Sequence, residues 1–140
     1  MSTQIRLARP DDHQAVANLY LEFSGWPLER HGSIQTAIEN PDEELFVAES
    51  EGQVVGFIHQ VYYNDPLHAG LNSNLTSLYV KMGYKRRGIG SQLVQQALDH
   101  ARRRNVVEVH VTTRETNLDA IKFYEANAFS REGVLFEINP

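Results

Sequence analysis

The residues best equipped for chemistry cluster between Tyr84 and Ser91, in the run Tyr-Lys-Arg-Arg-Gly-Ile-Gly-Ser. Lys85, Arg86 and Arg87 bring cationic side chains to one spot. Gly88 and Gly90 remove Cβ atoms where the chain turns and where another molecule could approach the backbone. The residues that follow read as a helix, so the N–H groups at its opening have no partner within it. The helix dipole adds roughly half a positive charge at the same place. Free backbone donors, a dipole and a cationic cluster together describe a phosphate site running from Lys85 through Ile89 to Ser91. A bare Gly-x-Gly is weak evidence, because at about 7% glycine it recurs about once per two hundred positions. On the local pattern alone, a tight turn with three solvated cations explains the stretch equally well.

The elements that must position this loop are legible on both sides of it. Leu78, Tyr79 and Val80 suit a pleated, half-buried strand leading into it. Ile89, Leu93, Val94, Ala97, Leu98 and Ala101 recur by threes and fours and mark one face of a long helix leading out. Upstream, Thr3–Arg9 alternates as a first strand. Pro10-Asp11-Asp12 opens a helix with acids in its first turn, and Ala15, Val16, Leu19, Tyr20 and Phe23 give it an apolar stripe. Ser24-Gly25-Trp26-Pro27 breaks it. A second helix is predicted over Leu28–Glu39, ended by Asn40-Pro41. Glu44–Ser50 and Gln53–Tyr63 read as strands joined by the hairpin signal Glu51-Gly52. Residues 64–71 read as loop, and Asn72–Val80 as the strand before the basic run. Beyond the long helix, Val106–Thr112 reads as a strand. Asn117 is a good N-cap for a helix reaching about Asn127. Phe129 and Val134–Ile138 are expected to supply the last strands.

Two segments then share a likeness. VKMGYKRRGIGSQLV resembles motif A of the GNAT superfamily of N-acetyltransferases, with Val80 at the strand end and Lys85, Gly88 and Gly90 at the motif's Gln/Arg-x-x-Gly-x-Gly/Ala positions. Residues 117–129, NLDAIKFYEANAF, are similar to the family's later N-x-x-A-x-x-(F/L)-Y-E-x-x-G-F segment. Two motifs in the right order outweigh either alone. The chain departs from the pattern at Lys85, which keeps the charge but loses a planar fork of donors. It departs also at Met82, where Pro is common, and at Arg86 and Ala128, where Gly is common. If Ala128 must be left-handed, strain of roughly 1 kcal/mol follows, unless Asn127 takes the turn instead.

The resemblance implies an α/β fold with a mixed, mostly antiparallel central sheet flanked by helices on both faces. It implies acetyl-CoA as co-substrate, its diphosphate on the loop and its arm along the backbone of Leu78, Tyr79 and Val80. The Val80 N–H would polarise the thioester, Tyr124 would protonate the leaving thiol, and Asn117 would help hold the arm. Phe23, Trp26, Glu29 and His31 become acceptor-side candidates, with Thr76 beside them. Read without the family, Trp26 is more readily a core cover, Tyr124 a core aromatic beside Phe123, and Asn117 a plain cap.

The acceptor is expected to be a primary amine of a small molecule or peptide. A lysine-like amine has a pKa near 10 and must lose a proton before attack. The stretch Leu75-Thr76-Ser77-Leu78 holds no carboxylate to take it. Water held by Thr76 or Ser77, or relay through His59, His110 or Glu49, are the alternatives. His59 taken alone is more readily a satisfied core residue.

Composition bounds these readings. A chain of 140 residues, 41% hydrophobic and 22% charged, fits one globular domain over 1–140. It contains no cysteine, which excludes thiolate metal sites and a cysteine acetyl-enzyme and fits a reducing cytoplasm. Direct transfer in a ternary complex is therefore expected, with no metal. Residues 1–13 hold no apolar run, so no signal peptide is expected. No run approaches the ~20 apolar residues of a membrane span. The net charge of −5 makes the basic loop a local feature and argues against nucleic acid as partner. A homodimer is common in the family. Two other classes remain: an acyl-CoA-binding module without chemistry, against which Tyr124 argues, and a nucleic-acid contact through Lys85–Arg87, which steep salt dependence would reveal.

Overall fold

The computed structural model describes residues 2–27 and 33–140. They fall into two compact units, Met1–His110 and Val111–Pro140. In chain order the elements are β1 (Thr3–Leu7), a short 3-10 turn at Pro10–Asp12, α1 (His13–Ser24), α2 (Ile34–Glu39), β2 (Glu43–Ser50), β3 (Gln53–Asp65), β4 (Gly70–Val80), α3 (Ile89–Arg103), β5 (Glu108–Val111) and α4 (Leu118–Ala126). The strands form one mixed sheet in the order β1-β2-β3-β4-β5. The pairs β1–β2, β2–β3 and β3–β4 are antiparallel.

Local chemistry explains most of the boundaries. The Asp12 carboxylate accepts the Arg9 N–H at 2.7 Å and an Arg6 N–H at 2.7 Å, fixing the entry to α1. Gly25, at φ +72°, ends that helix and returns its N–H to Leu21 O at 2.8 Å. Glu51 and Gly52 both take positive φ, the conformation a two-residue hairpin turn demands.

Alternation along β2 and β3 sends successive side chains to opposite faces. Leu45, Val47 and Phe57 pack with Val16, Ala17 and Leu19 of α1 and Ile34 and Ala37 of α2. On the other face Phe46 meets His100 of α3 edge-on at 4.7 Å, and a Cβ added to Gly56 would lie 3.4 Å from Leu93. Helices therefore cover both faces of β2 and β3, as the doubly apolar β3 sequence requires. Where β3 meets β4, His59 is opposite Ser77 and Gln60 opposite Leu75. Thr76 is the extra residue, a β-bulge of the kind that re-aims a side chain.

Several expectations need correction. β3 and β4 reach Asp65 and Gly70, so the loop expected over residues 64–71 shrinks to the turn around Pro66–His68. Ladder hydrogen bonds use backbone groups, and the polar side chains there do not prevent them. β1 and β5 are shorter than read. Of the second helix, Ile34–Glu39 is present, and residues 28–32 lie outside the described residues. Phe129 and Val134–Ile138 form no strand, and Val134, Leu135, Phe136 and Ile138 are exposed. A β-prone run becomes a strand only with a partner to pair with. Trp26 does not cover the core, since 55% of it is exposed.

Candidate active site

β4 runs into the basic loop, and three backbone anchors hold that loop. Lys81 N–H donates to Val55 O at 2.7 Å, Tyr84 N–H to Lys81 O at 3.0 Å, and Met82 N–H to Glu22 of α1 at 3.3 Å. Gly88 is the N-cap of α3 at φ +79°. A Cβ there would meet no neighbour within 4 Å, so glycine is needed for its backbone conformation rather than for space. Gln92 N–H returns to Gly88 O at 3.0 Å and starts the helix ladder. Among the described residues, the N–H groups from Lys85 to Ser91 donate to no protein atom. Ile89 turns its side chain into the core and is 2% exposed, so it offers the loop only its amide. Lys85 lies over the Tyr79 ring at 5.1 Å and Arg87 over the Tyr84 ring at 4.9 Å. Arg86 stands at φ +64°, left-handed at a position where the family pattern often has glycine. The result is an open row of amides that begins with three consecutive cations, which can grip a phosphate.

Glu22 joins this loop to α1. Its carboxylate accepts the Tyr79 hydroxyl at 2.6 Å as well as the Met82 N–H. That hydroxyl, more than the cations nearby, holds the Glu22 carboxyl below the usual range. Burial and then the carboxylate push the Tyr79 phenol up to about 12. Phe23 stacks on Tyr79 at 5.1 Å with half its surface exposed. Trp26 follows, its N–H on Ser24 Oγ at 3.0 Å. Glu29 and His31 lie outside the described residues.

On the same face, further along β4, a chain of polar groups runs across three strands. Glu43 Oε1 meets His59 Nε2 at 2.7 Å, and His59 Nδ1 meets the hydroxyl of Thr76. Thr76 Oγ1 lies 3.5 Å from Ser77 Oγ, which bonds the Tyr20 hydroxyl at 2.7 Å. Burial raises the Tyr20 phenol. His59 is therefore satisfied at both nitrogens, but not as a core residue: its chain ends on an exposed hydroxyl. The other groups considered as bases are engaged elsewhere. Glu49 pairs with Arg6 at 2.9 Å, and His110 contacts Glu108 at 3.0 Å and the Tyr63 hydroxyl at 3.3 Å. Glu43 was not among the sequence candidates, and nothing in its local pattern marks it.

In the second unit Asn117 caps α4, its side-chain oxygen accepting the Ala120 N–H at 3.1 Å. Tyr124 packs edge-on between Phe123 at 5.2 Å and Phe129 at 5.7 Å. Burial raises its phenol, so it stays protonated and can donate. Ala128 takes the left-handed turn at φ +71°, and Asn127 does not. Among the described residues no three His, Asp or Glu side chains gather as a metal site, and no helix is long and apolar enough to cross a membrane.

The Acetyltransferase (GNAT) family model matches residues 13–129, and the chain belongs to that family. It is similar to rat "N-acetyltransferase family 8 member 3", 34% identical over 92 residues. That match covers 66% of this chain and 40% of the rat protein, so the chain spans well under two thirds of that relative's length. An uncharacterized N-acetyltransferase of Bacillus subtilis, YhfO, is 26% identical over 138 residues, covering 91% of this chain and 90% of that protein. Among solved structures, the aminoglycoside N-acetyltransferase AAC(6')-Iy in complex with CoA superposes at a TM-score of 0.88 with 19% identity, over 99% of this chain and 95% of that one. That likeness bears on the fold alone.

Proposed function

We propose that the protein transfers the acetyl group of acetyl-CoA directly to a primary amine of a small molecule or peptide. The observation that carries this is the loop from Lys85 to Ser91, whose free amides, left-handed Gly88 and flanking cations fit a diphosphate. The family match across residues 13–129 supports reading 1–140 as one acetyltransferase domain. In this reading Leu78, Tyr79 and Val80 lend backbone groups to the cofactor's amide arm, and the Val80 N–H steadies the charge that develops on the thioester oxygen. Asn117 helps hold the arm, and Tyr124 supplies the proton that the departing thiolate takes up. Phe23, Trp26 and Thr76 line the acceptor side, and Glu29 is the further acceptor-side candidate. With no cysteine in the chain, attack occurs in a ternary complex. The cysteine-free sequence suits the cytoplasm, the location we propose. The homodimer common in the family is checked by light scattering.

The test pairs calorimetry with a thiol-release assay over a panel of amines. Coenzyme A should bind, and Arg86→Ala or Arg87→Ala should weaken it. Tyr124→Phe should bind acetyl-CoA normally and lose turnover about 100-fold. Binding without turnover on any amine would instead indicate an acyl-CoA-binding module.

A further inference from the structure

We propose that Thr76, His59 and Glu43 form a proton relay that receives the proton of the incoming amine. The proposal rests on the acetyltransferase reading above and assigns the base that the sequence leaves open.

The hydrogen bonds fix the direction of the relay. An ionised carboxylate can only accept, so His59 Nε2 carries the hydrogen that points to Glu43 Oε1 at 2.7 Å. In the neutral ring Nδ1 is then a bare lone pair, and the Thr76 hydroxyl must donate to it. Glu43 is held in this role by the Asn40 side-chain amide, which donates to Oε2 at 3.1 Å. The imidazole itself is mostly buried, with 14% of the side chain exposed. Thr76 is exposed, and as the bulge residue it has no partner in the β3–β4 register. The chain thus has an anionic, partly buried end at Glu43 and an exposed, neutral end at Thr76, on the strand that runs on into the phosphate loop.

The step balances. The acceptor ammonium gives one proton to Thr76 Oγ as the Thr76 proton moves to His59 Nδ1. The imidazolium formed is stabilised by Glu43. The freed nitrogen lone pair makes the N–C bond to the thioester carbonyl, and the C–S bond breaks. Sulfur leaves as thiol, with a proton from Tyr124. The second proton on nitrogen, lost as the amide forms, makes good the one given to sulfur. The relay returns its proton to solvent. Among the described residues, the titratable groups facing His59 are Glu43 on β2 and, behind Ser77, Tyr20 on α1.

Nitrogen-15 NMR of the free protein should find the His59 ring in its Nε2–H form; an Nδ1–H ring reverses the Thr76 bond and overturns the relay whether or not a substrate is known. His59→Gln and the exposed-site variant Thr76→Val should each lose about 100-fold in kcat near neutral pH. The deficit should shrink as pH rises towards the amine's own pKa, because the acceptor then arrives neutral. Acetyl-CoA binding by calorimetry should stay unchanged, and Thr76→Ser should recover most of the rate. A deficit equal at every pH, no deficit, or an acetyl group on Thr76 by mass spectrometry would remove the relay alone. No turnover with any amine in the unaltered protein would remove the acetyltransferase reading, and the relay with it.

Discussion

Two polar clusters lie back to back across the same three strands, one residue out of phase. On the α1 and α2 side, Glu43, His59 and Thr76 form a chain that ends in water. On the α3 side, Glu44, Gln60, Tyr62 and Ser73 form a network that is closed. Gln60 is fully buried; its amide donates to Ala97 O at 3.0 Å and to the Tyr62 hydroxyl at 3.0 Å, and its carbonyl accepts from Ser73 at 2.8 Å. Glu44 accepts from Tyr62 and from His100 at 3.0 Å, and Arg104 lies 3.5 Å away while covering the Tyr62 ring. Burial, then the Glu44 carboxylate, raise the Tyr62 phenol. The residue types are nearly the same on the two faces. What differs is access: the closed network can only hold structure, whereas the open one can exchange a proton.

Removing one member of each cluster should separate these roles. Glu44→Ala leaves Tyr62, Gln60 and His100 without their shared acceptor. It should cost about 3 kcal/mol in denaturant titration, the order expected when a buried charge network loses a partner. Glu43→Ala, at a wetter site, should cost under about 1 kcal/mol yet slow turnover. Equal losses of stability would erase the distinction.

The next effect tests the wall between the clusters. A Cβ on Gly56 would sit 3.0 Å from Tyr79 O and 3.5 Å from Val80 Cγ2. Gly56→Ala should therefore cost about 1–3 kcal/mol by overpacking, and it should weaken coenzyme A binding, because the displaced strand leads into the anion loop.

A third carboxylate, paired but remote from both clusters, sets the scale for pH. The Arg6 guanidinium, more than any other group, holds the Asp12 carboxyl below its usual value. A lowered carboxyl stabilises the fold above its unfolded-state pKa, and that contribution fades as pH falls through the folded-state value. Asp12→Asn should thus lower stability at neutral pH and flatten its decline on acidification. An unchanged decline would show that the Arg6–Asp12 pair does not set the acid sensitivity.

The smallest change lies in the second unit. Ala128→Gly relieves a left-handed alanine and should gain about 0.5–1 kcal/mol, measured by thermal melting. Turnover should then follow stability only.

How far the sequence could be read follows from where information is local. The strand, loop and helix from Leu78 to Arg103 were legible because glycines, cations and helical spacing sit next to one another. Asn117 was legible as a cap for the same reason. The relay was not: Glu43 and Thr76 lie 16 and 17 residues from His59, and only strand register and one bulge bring them together. A shift of one residue would exchange Glu43 for Glu44 and place a different acid on each face. The core-cover reading of Trp26 fails because hydrophobicity alone does not say which side of a helix end faces out. Val134–Ile138 failed for want of a partner strand, which no local pattern reports.

Glu22 has a bearing on motion. One carboxylate grips the hydroxyl of Tyr79 and the Met82 amide at once, so helix α1 and the anion loop are mechanically yoked. Whatever settles on the loop is felt at Phe23, and whatever presses on Phe23 is felt at the loop. Under the proposed reading, the two co-substrates would share a line of communication only two side chains long.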